Sequence, residues 1–460
     1  MTLQVTLARI AAAALAVVAG LSDRPAAGLL LFMLVWTVTE LGHRTLADPR
    51  IVVLPVAFFI MVVTPVAMLS SEVDIPTRLG GDVSDSSFLI SLSLAATSFT
   101  LVSLFSLRRL GTMPTGRLRE STGSRVITIR AAGLAFLGLV AIYRVYFIAR
   151  FGFFGSSNVS QVQKLESLSG SLLSAGLILL GVSLYLERRW MRVPEMAAVA
   201  MMIVLHALTG SRSEISVIVI TPLLFHFYGR VRTFNLRQLA VIGALLILLP
   251  VALVSIRTGG SITGRFSSAD SALQIALEPT ASSTLVWVEG HARLEEGGIR
   301  YDGSTYYRPL PHLIPGPVAD LAFDSGEIGS GALELPGLLG YTGRSGLGFS
   351  MPLEWYMNFG HAGDVFFGGL YGLLLTAAYR AFRDPKSILG LGVYAFVVGR
   401  LPLLLRSDAF QLTSGLITLV ILLLAVRLFS GPLIRDASVS PSAPIGRQAT
   451  AHDSLTTSGN

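Results

Sequence analysis

Three polar side chains follow one another at helical spacing near the start of an apolar segment. Glu354, Asn358 and His361 fall at positions i, i+4 and i+7, which a regular helix places on one face. Gly348 to Pro352 come directly before them and predict the start of that helix. A histidine transfers protons readily near neutral pH, whereas a glutamate does so only when its pKa is raised. The stripe is therefore a candidate site for general base catalysis, with Asn358 orienting a bound group.

Helix packing is the alternative role of this segment. Glycines at short intervals are typical of close contacts between membrane helices, and polar side chains can also bond to neighbouring helices. The glycines are Gly360, Gly363, Gly368, Gly369 and Gly372. We expect the glycines to serve packing, which leaves Glu354 and His361 as the better candidates for site groups.

A second group of polar residues consists of arginines in or beside apolar segments. Arg144 and Arg400 lie about six residues inside such segments, where burying a charge costs at least about 2.5 kcal/mol. Arg212, Arg257 and Arg406 lie in turns or at segment ends. A guanidinium group donates two parallel hydrogen bonds to phosphate. The five residues predict a cationic collar for a lipid-linked phosphate or pyrophosphate, with snorkelling to the interface as the alternative for the two arginines inside segments.

The composition indicates an all-α polytopic membrane protein. Hydrophobic residues make up 52% of the 460 residues, charged residues 14%, and the mean hydropathy is +0.66; soluble chains carry about a quarter charged residues. The net charge of +7 comes from arginines between apolar stretches, which argues against nucleic acid as a partner. Cysteine is absent, which excludes disulfides, a thiol nucleophile and cysteine-ligated metal.

About twelve transmembrane helices are expected, because apolar windows long enough to cross a bilayer recur along the chain. The windows are 5–21, 26–41, 51–70, 88–107, 127–149, 171–186, 193–208, 215–228, 239–256, 358–378, 387–405 and 409–428. They predict one transmembrane domain over residues 1–430, interrupted by a large extracytoplasmic loop at 257–351. Residues 431–460, rich in Ser, Pro, Thr and Ala, predict a disordered cytoplasmic tail.

Arginine is concentrated in alternate loops, which predicts the orientation of the chain. The arginine-rich loops include residues 44–50, 108–125, 188–192, 230–237, 380–386 and 427–435. By the positive-inside rule these loops are cytoplasmic, so both termini lie inside and the long loop lies outside.

Four stretches of the chain form a recognisable series: Thr209 to Arg212, Tyr306 to Pro317, Glu354 to Gly363 and Arg406 to Asp408. In residues, order and spacing they resemble the bacterial O-antigen and oligosaccharide repeat-unit polymerases (Wzy-type). The resemblance extends from about Arg188 to Phe429; the first four apolar windows match only as hydrophobic helices.

The resemblance implies a membrane glycosyltransferase (GT-C-like) architecture in the bacterial plasma (inner) membrane. It implies metal-independent polymerisation of undecaprenyl-pyrophosphate-linked oligosaccharides at the outer face, as in O-antigen or exopolysaccharide synthesis, without a cofactor. An acceptor hydroxyl attacks the anomeric carbon and lipid pyrophosphate leaves, which requires cations and a base. Chain-length regulators and flippases are the implied partner proteins, beside the lipid bilayer.

The same chemistry extends the candidate residues into the loop. His361, Glu354 and His312 are the candidates for the base, and Arg308 joins the collar as a candidate contact to pyrophosphate or glycan. A ligase that moves a finished glycan, a flippase for the same lipid-linked unit and a non-catalytic scaffold are the alternatives. Glu72 and Asp74 have the spacing of an acidic metal motif, but two carboxylates seldom hold a hard cation, and no metal site is predicted.

Overall fold

A computed structural model describes most of the predicted helical segments. It covers residues 48–50, 53–58, 61, 86–107, 123–153, 159–187, 191–209, 212–227, 286–308, 331–339, 350–383, 388–400 and 409–430. The helices in these ranges are α1 (Val53–Phe58), α2 (Ser86–Leu107), α3 (Gly123–Phe151), α4 (Val159–Leu186), α5 (Val193–Thr209), α6 (Arg212–Phe227), α7 (286–297), α8 (Ser304–Tyr307), α9 (Gly331–Leu338), α10 (Met351–Arg383), α11 (Ile388–Gly399) and α12 (Ala409–Ser430). The described ranges contain no strand.

Three of these helices are long and apolar enough to cross a membrane. They are residues 126–151 of α3, 168–186 of α4 and the whole of α10, and further shorter apolar helices lie in α2, α5, α6, α11 and α12. Eight of the twelve predicted windows coincide with described helices, and the window at 51–70 is described only at 53–58 and 61. The windows at 5–21, 26–41 and 239–256 and the tail at 431–460 lie outside the described residues. The chain is thus a helical protein with the character of a membrane protein, and the count of twelve spans stays a prediction.

Glycines bring two pairs of helices into close contact. A Cβ atom added to Gly133 of α3 would lie 3.0 Å from the Gly176 carbonyl oxygen of α4. On α10, Cβ atoms added to Gly368 and Gly372 would each lie 2.9 Å from carbonyl oxygens of α2. Such distances leave no room for a side chain, so the predicted packing role of Gly368 and Gly372 is confirmed.

One arginine assigned to a cytoplasmic loop takes part in a buried ion pair. Arg50 donates from Nε to Asp48 Oδ1 at 2.8 Å and from Nη2 to Asp48 Oδ2 at 2.6 Å. Its Nη1 donates to the carbonyl of Leu107, the last residue of α2, at 3.2 Å. Arg50 is only 3% exposed. Its charge is therefore neutralised inside the protein, beside the C-terminus of α2.

Candidate functional site

The described candidate residues lie at one end of the helix bundle, which we call the site end. It comprises the C-terminal parts of α3, α5 and α11, the N-terminal parts of α4, α6, α10 and α12, and residues 298–308. Two contacts tie these parts together. Arg400, which follows α11, donates to Ser174 of α4 at 3.3 Å. Glu354 of α10 accepts a hydrogen bond from the backbone N–H of Ala409, the first residue of α12, at 2.7 Å.

Helix α10 bends at Gly360, inside the polar stripe that the sequence predicts. Gly360 has φ 59° and ψ −151°, a backbone conformation that is essentially confined to glycine. In the turn before the bend, the Met357 carbonyl accepts a hydrogen bond from the Tyr301 N–H at 3.0 Å. The bend turns His361 away from the face that carries Glu354 and Asn358. The prediction of one continuous three-residue stripe is therefore wrong, because it assumed a regular helix.

We expect Gly360→Ala to lower stability by about 1–3 kcal/mol, since alanine does not adopt this backbone conformation without strain. Gly138→Ala in α3 is the matched control, because a Cβ added there meets nothing within 4 Å. This control should leave stability unchanged or raise it by up to about 1 kcal/mol through helix propensity. Thermal unfolding of both variants in one detergent provides the comparison. Equal melting temperatures would contradict the bend.

Glu354 joins three parts of the site end. It is fully buried. Its Oε1 accepts a hydrogen bond from the Thr305 hydroxyl of α8 at 3.0 Å, and its Oε2 accepts the bond from Ala409. Asn358 Nδ2 donates to Thr305 Oγ1 at 2.7 Å and to the Glu354 carbonyl at 2.8 Å. A carboxylate at the N-terminus of α12 is also stabilised by the helix dipole. This geometry favours an anchoring role for Glu354 and Asn358.

His361 lies just beyond the bend, with 40% of its side chain exposed. Its buried Nδ1 lies 3.5 Å from Oδ2 of Asp364, a residue that is itself 0% exposed. The imidazole packs edge-on against the Tyr356 ring, with 5.2 Å between centroids, and 6.3 Å from the ring of His291. Since Nδ1 is the buried nitrogen, the exposed part of the ring is open to a substrate hydroxyl. His361 is the base candidate that the geometry favours.

Arg300 supplies a cation beside this histidine, which the sequence analysis missed. Its guanidinium carbon lies 4.7 Å from the centroid of the Tyr356 ring, and its Nη2 donates to the Tyr356 hydroxyl at 3.2 Å. The same nitrogen donates to Glu295 at 3.0 Å. A Cβ added to Gly360 would lie 3.6 Å from Arg300 Nε, so the arginine covers the bend. Residues 298–308 therefore form a strap across α10.

A second group of charges lies between helices of the site end. Arg144 of α3 is 1% exposed, and its positive charge interacts electrostatically with His206 of α5. The carboxylate of Glu214 in α6 interacts electrostatically with both His206 and Arg400. Arg400 lies 4.8 Å over the Phe396 ring. Two of the five predicted collar arginines thus share one electrostatic neighbourhood, which also holds a carboxylate and a histidine.

The positions of these two arginines bear on the snorkelling alternative. Arg144 does not reach the surface, so snorkelling is wrong for this residue. Arg400 is held by its packing: a Cβ added to Gly170 would lie 2.7 Å from Arg400 Nη2, and one added to Gly415 would lie 3.6 Å from Nη1. Gly415 follows Ala409 by six residues, or about 9 Å along the axis of α12. Helix α12 therefore contacts both Glu354 and Arg400.

The other candidates are placed differently or lie outside the described residues. The Arg308 side chain is 53% exposed and pairs with Glu334 at 3.5 Å, which gives it a solvated ion pair on the strap. Arg212 begins α6 at the site end, but only its backbone is described. The remaining candidates, His312, Arg257, Arg406, Glu72 and Asp74, lie outside the described residues.

Tyr306 of α8 completes the contact between the strap and α10. Its ring stacks on Phe367 with 5.2 Å between centroids. Burial raises the pKa of the Tyr306 phenol, and the nearby Glu354 carboxylate raises it further. The phenol therefore stays protonated at any physiological pH and can act only as a neutral group.

Searches for similar proteins give no family assignment. No family model matches the chain, and neither a curated protein nor a solved structure matches it. Its class as a helical protein with membrane-spanning character rests on its own helices.

Proposed function

We propose that this protein is a metal-independent glycosyltransferase that polymerises undecaprenyl-pyrophosphate-linked oligosaccharide repeat units at the outer face of the bacterial plasma membrane. In this proposal the chain is multi-pass with about twelve spans and a GT-C-like architecture. Both termini are cytoplasmic, and the site end faces outward. The resemblance of four stretches to repeat-unit polymerases supplies the substrate class.

The observation that carries the proposal is the placement of His361. It is half-exposed beyond the bend of α10, with a buried carboxylate 3.5 Å behind its Nδ1 and a guanidinium group over the neighbouring tyrosine. A general base must be accessible to the substrate, while contacts within the protein fix its orientation. Among the base candidates with described side chains, His361 meets this requirement, whereas both oxygens of Glu354 already accept hydrogen bonds.

In the proposed reaction His361 and the arginines of the site end have separate tasks. The acceptor hydroxyl forms a bond to the anomeric carbon of the donor glycan, and its proton passes to the free nitrogen of His361. The bond between the anomeric carbon and the pyrophosphate oxygen breaks, and the lipid pyrophosphate leaves with that electron pair. Arg144 and Arg400, with Arg212 at the start of α6, stabilise the departing charge in a partly desolvated site. The described candidate residues lie toward one end, which supports an enzyme over a flippase with a central cavity.

The test is elongation by purified protein in detergent with chelator present. We expect a ladder of lipid-linked products separated by one repeat unit, and loss of the ladder in the His361→Gln variant. Transfer only to an added non-carrier acceptor would indicate a ligase instead. Movement of the lipid-linked unit across vesicles without any new glycosidic bond would indicate a flippase and would contradict the proposal.

A further inference from the structure

Asp364 is a buried carboxylate without a role in the reaction as described so far. It is 0% exposed and lies within a helix of membrane-spanning character, one turn beyond the bend. Two polar groups, the Ser91 hydroxyl of α2 and the Arg300 guanidinium, interact with its carboxyl group. Among the described residues, His361 is the one whose ionisable group lies within ion-pair distance of it. A buried carboxylate is costly unless a partner compensates it, so this pairing needs an explanation.

The geometry makes Asp364 suitable for orienting the imidazole. A distance of 3.5 Å between Nδ1 and Oδ2 is slightly too long for a hydrogen bond in the resting protein. Catalytic contacts of this kind are often loose without substrate and shorten in the reacting complex. If Asp364 accepts a hydrogen bond from the Nδ1–H group, the other ring nitrogen is left unprotonated and able to take a proton from a hydroxyl group.

Other groups around the ring do not replace this contact. From α7, His291 stacks on Tyr356 with 3.9 Å between centroids, and from the strap, Arg300 lies over Tyr356. Tyr356 itself meets the His361 ring by its edge. These contacts hold the plane of the imidazole but do not select the nitrogen that carries its proton. The Asp364 carboxylate can make that selection because it faces Nδ1.

We infer that Asp364 is a positioning residue that keeps the proton of neutral His361 on Nδ1 and stabilises the imidazolium formed when the acceptor hydroxyl is deprotonated. The catalytic part of this inference rests on the proposed function. The proton balance is simple: one proton leaves the acceptor oxygen, resides on His361, and is later released to water. Asp364 accepts a hydrogen bond from Nδ1 as the contact shortens in the reacting complex and does not itself take the proton.

The first test is spectroscopic and needs no activity. Nitrogen-15 NMR of histidine-labelled protein in nanodiscs reports which ring nitrogen is protonated, and His361→Gln assigns the signal among the seven histidines. We expect the Nδ1-protonated form in the wild type and a shift toward the Nε2-protonated form in Asp364→Asn. A wild-type His361 that carries its proton on Nε2 would overturn the inference without any variant.

The second test is kinetic and separates positioning from structure. Asp364→Asn should lower kcat by about tenfold or more while KM changes less than about threefold, since substrate contacts are retained. Asp302→Asn, the same change at an exposed carboxylate of the strap, should leave both constants unchanged. Normal kcat in Asp364→Asn would overturn the inference and leave the proposed function standing. If Asp364→Asn shifts the His361 tautomer but the protein forms no glycosidic bond, the pairing of Asp364 with His361 is supported. In that case only the proposed function is refuted.

Discussion

Replacing His361 by glutamine should reduce the rate of chain elongation on the order of 100-fold or more. Glutamine keeps much of the size and hydrogen-bonding capacity of histidine but cannot accept a proton near neutral pH. The His361 side chain is partly exposed and makes ring contacts at 5.2 Å and 6.3 Å, so its loss should disturb packing little. The measurement is the initial rate with purified protein and lipid-linked repeat units, with melting temperature as the check on folding.

Glu354→Gln is the matched control for this experiment. We expect it to lower stability while the rate of elongation changes little. The introduced amide has one oxygen, so it can keep one of the two hydrogen bonds that Thr305 and Ala409 now donate. Losing a bond to a buried charged group costs about 1–3 kcal/mol, which should appear in unfolding. Elongation by the folded fraction should fall far less than in His361→Gln. A large rate loss at unchanged stability in Glu354→Gln would return the base to Glu354, and normal elongation by both variants would move it to His312.

The sequence was sufficient for the helices of the site end but not for the contacts between them. Apolar windows predict α3, α4 and α10 because the cost of burying polar groups in a bilayer leaves a long uninterrupted signal. The bend is different, because Gly360 stands among packing glycines such as Gly368 and Gly372, and nothing in the pattern separates them. What distinguishes Gly360 is Arg300, which lies across it from a segment about 60 residues earlier.

The partners of the predicted residues show the same limit. Glu354 binds the backbone N–H of Ala409, and a backbone group leaves no signal in the sequence. For His206 and Glu214 a signal existed, since ionisable side chains in or beside apolar segments mark candidate sites. The predicted collar contained arginines alone and therefore left these two residues out. Their presence changes the collar from a row of cations into a group in which Glu214 partly offsets the positive charge.

Lysine at position 144 or 400 should abolish most activity, although the charge is retained. The five donors of a guanidinium form a planar fork that an ammonium group cannot reproduce. Arg400 holds its plane over Phe396 at 4.8 Å and donates from Nε to Ser174 at 3.3 Å, and Arg144 is 1% exposed. We expect Arg144→Lys and Arg400→Lys each to lower kcat on the order of 100-fold, as the loss of a preorganised donor to a leaving group does.

Arg380→Lys provides the matched control, because Arg380 is exposed near the far end of α10 and should tolerate the change. Gly170→Ala extends the test without altering any charge. The added methyl group would lie 2.7 Å from Arg400 Nη2, so the guanidinium must move and kcat should fall although every arginine remains. In the proposed reaction Arg212→Lys should lower kcat in the same way as Arg144→Lys and Arg400→Lys. Full-length polymer from Arg400→Lys at normal expression would show that position 400 supplies charge alone, and the collar would then lose its geometric specificity for pyrophosphate.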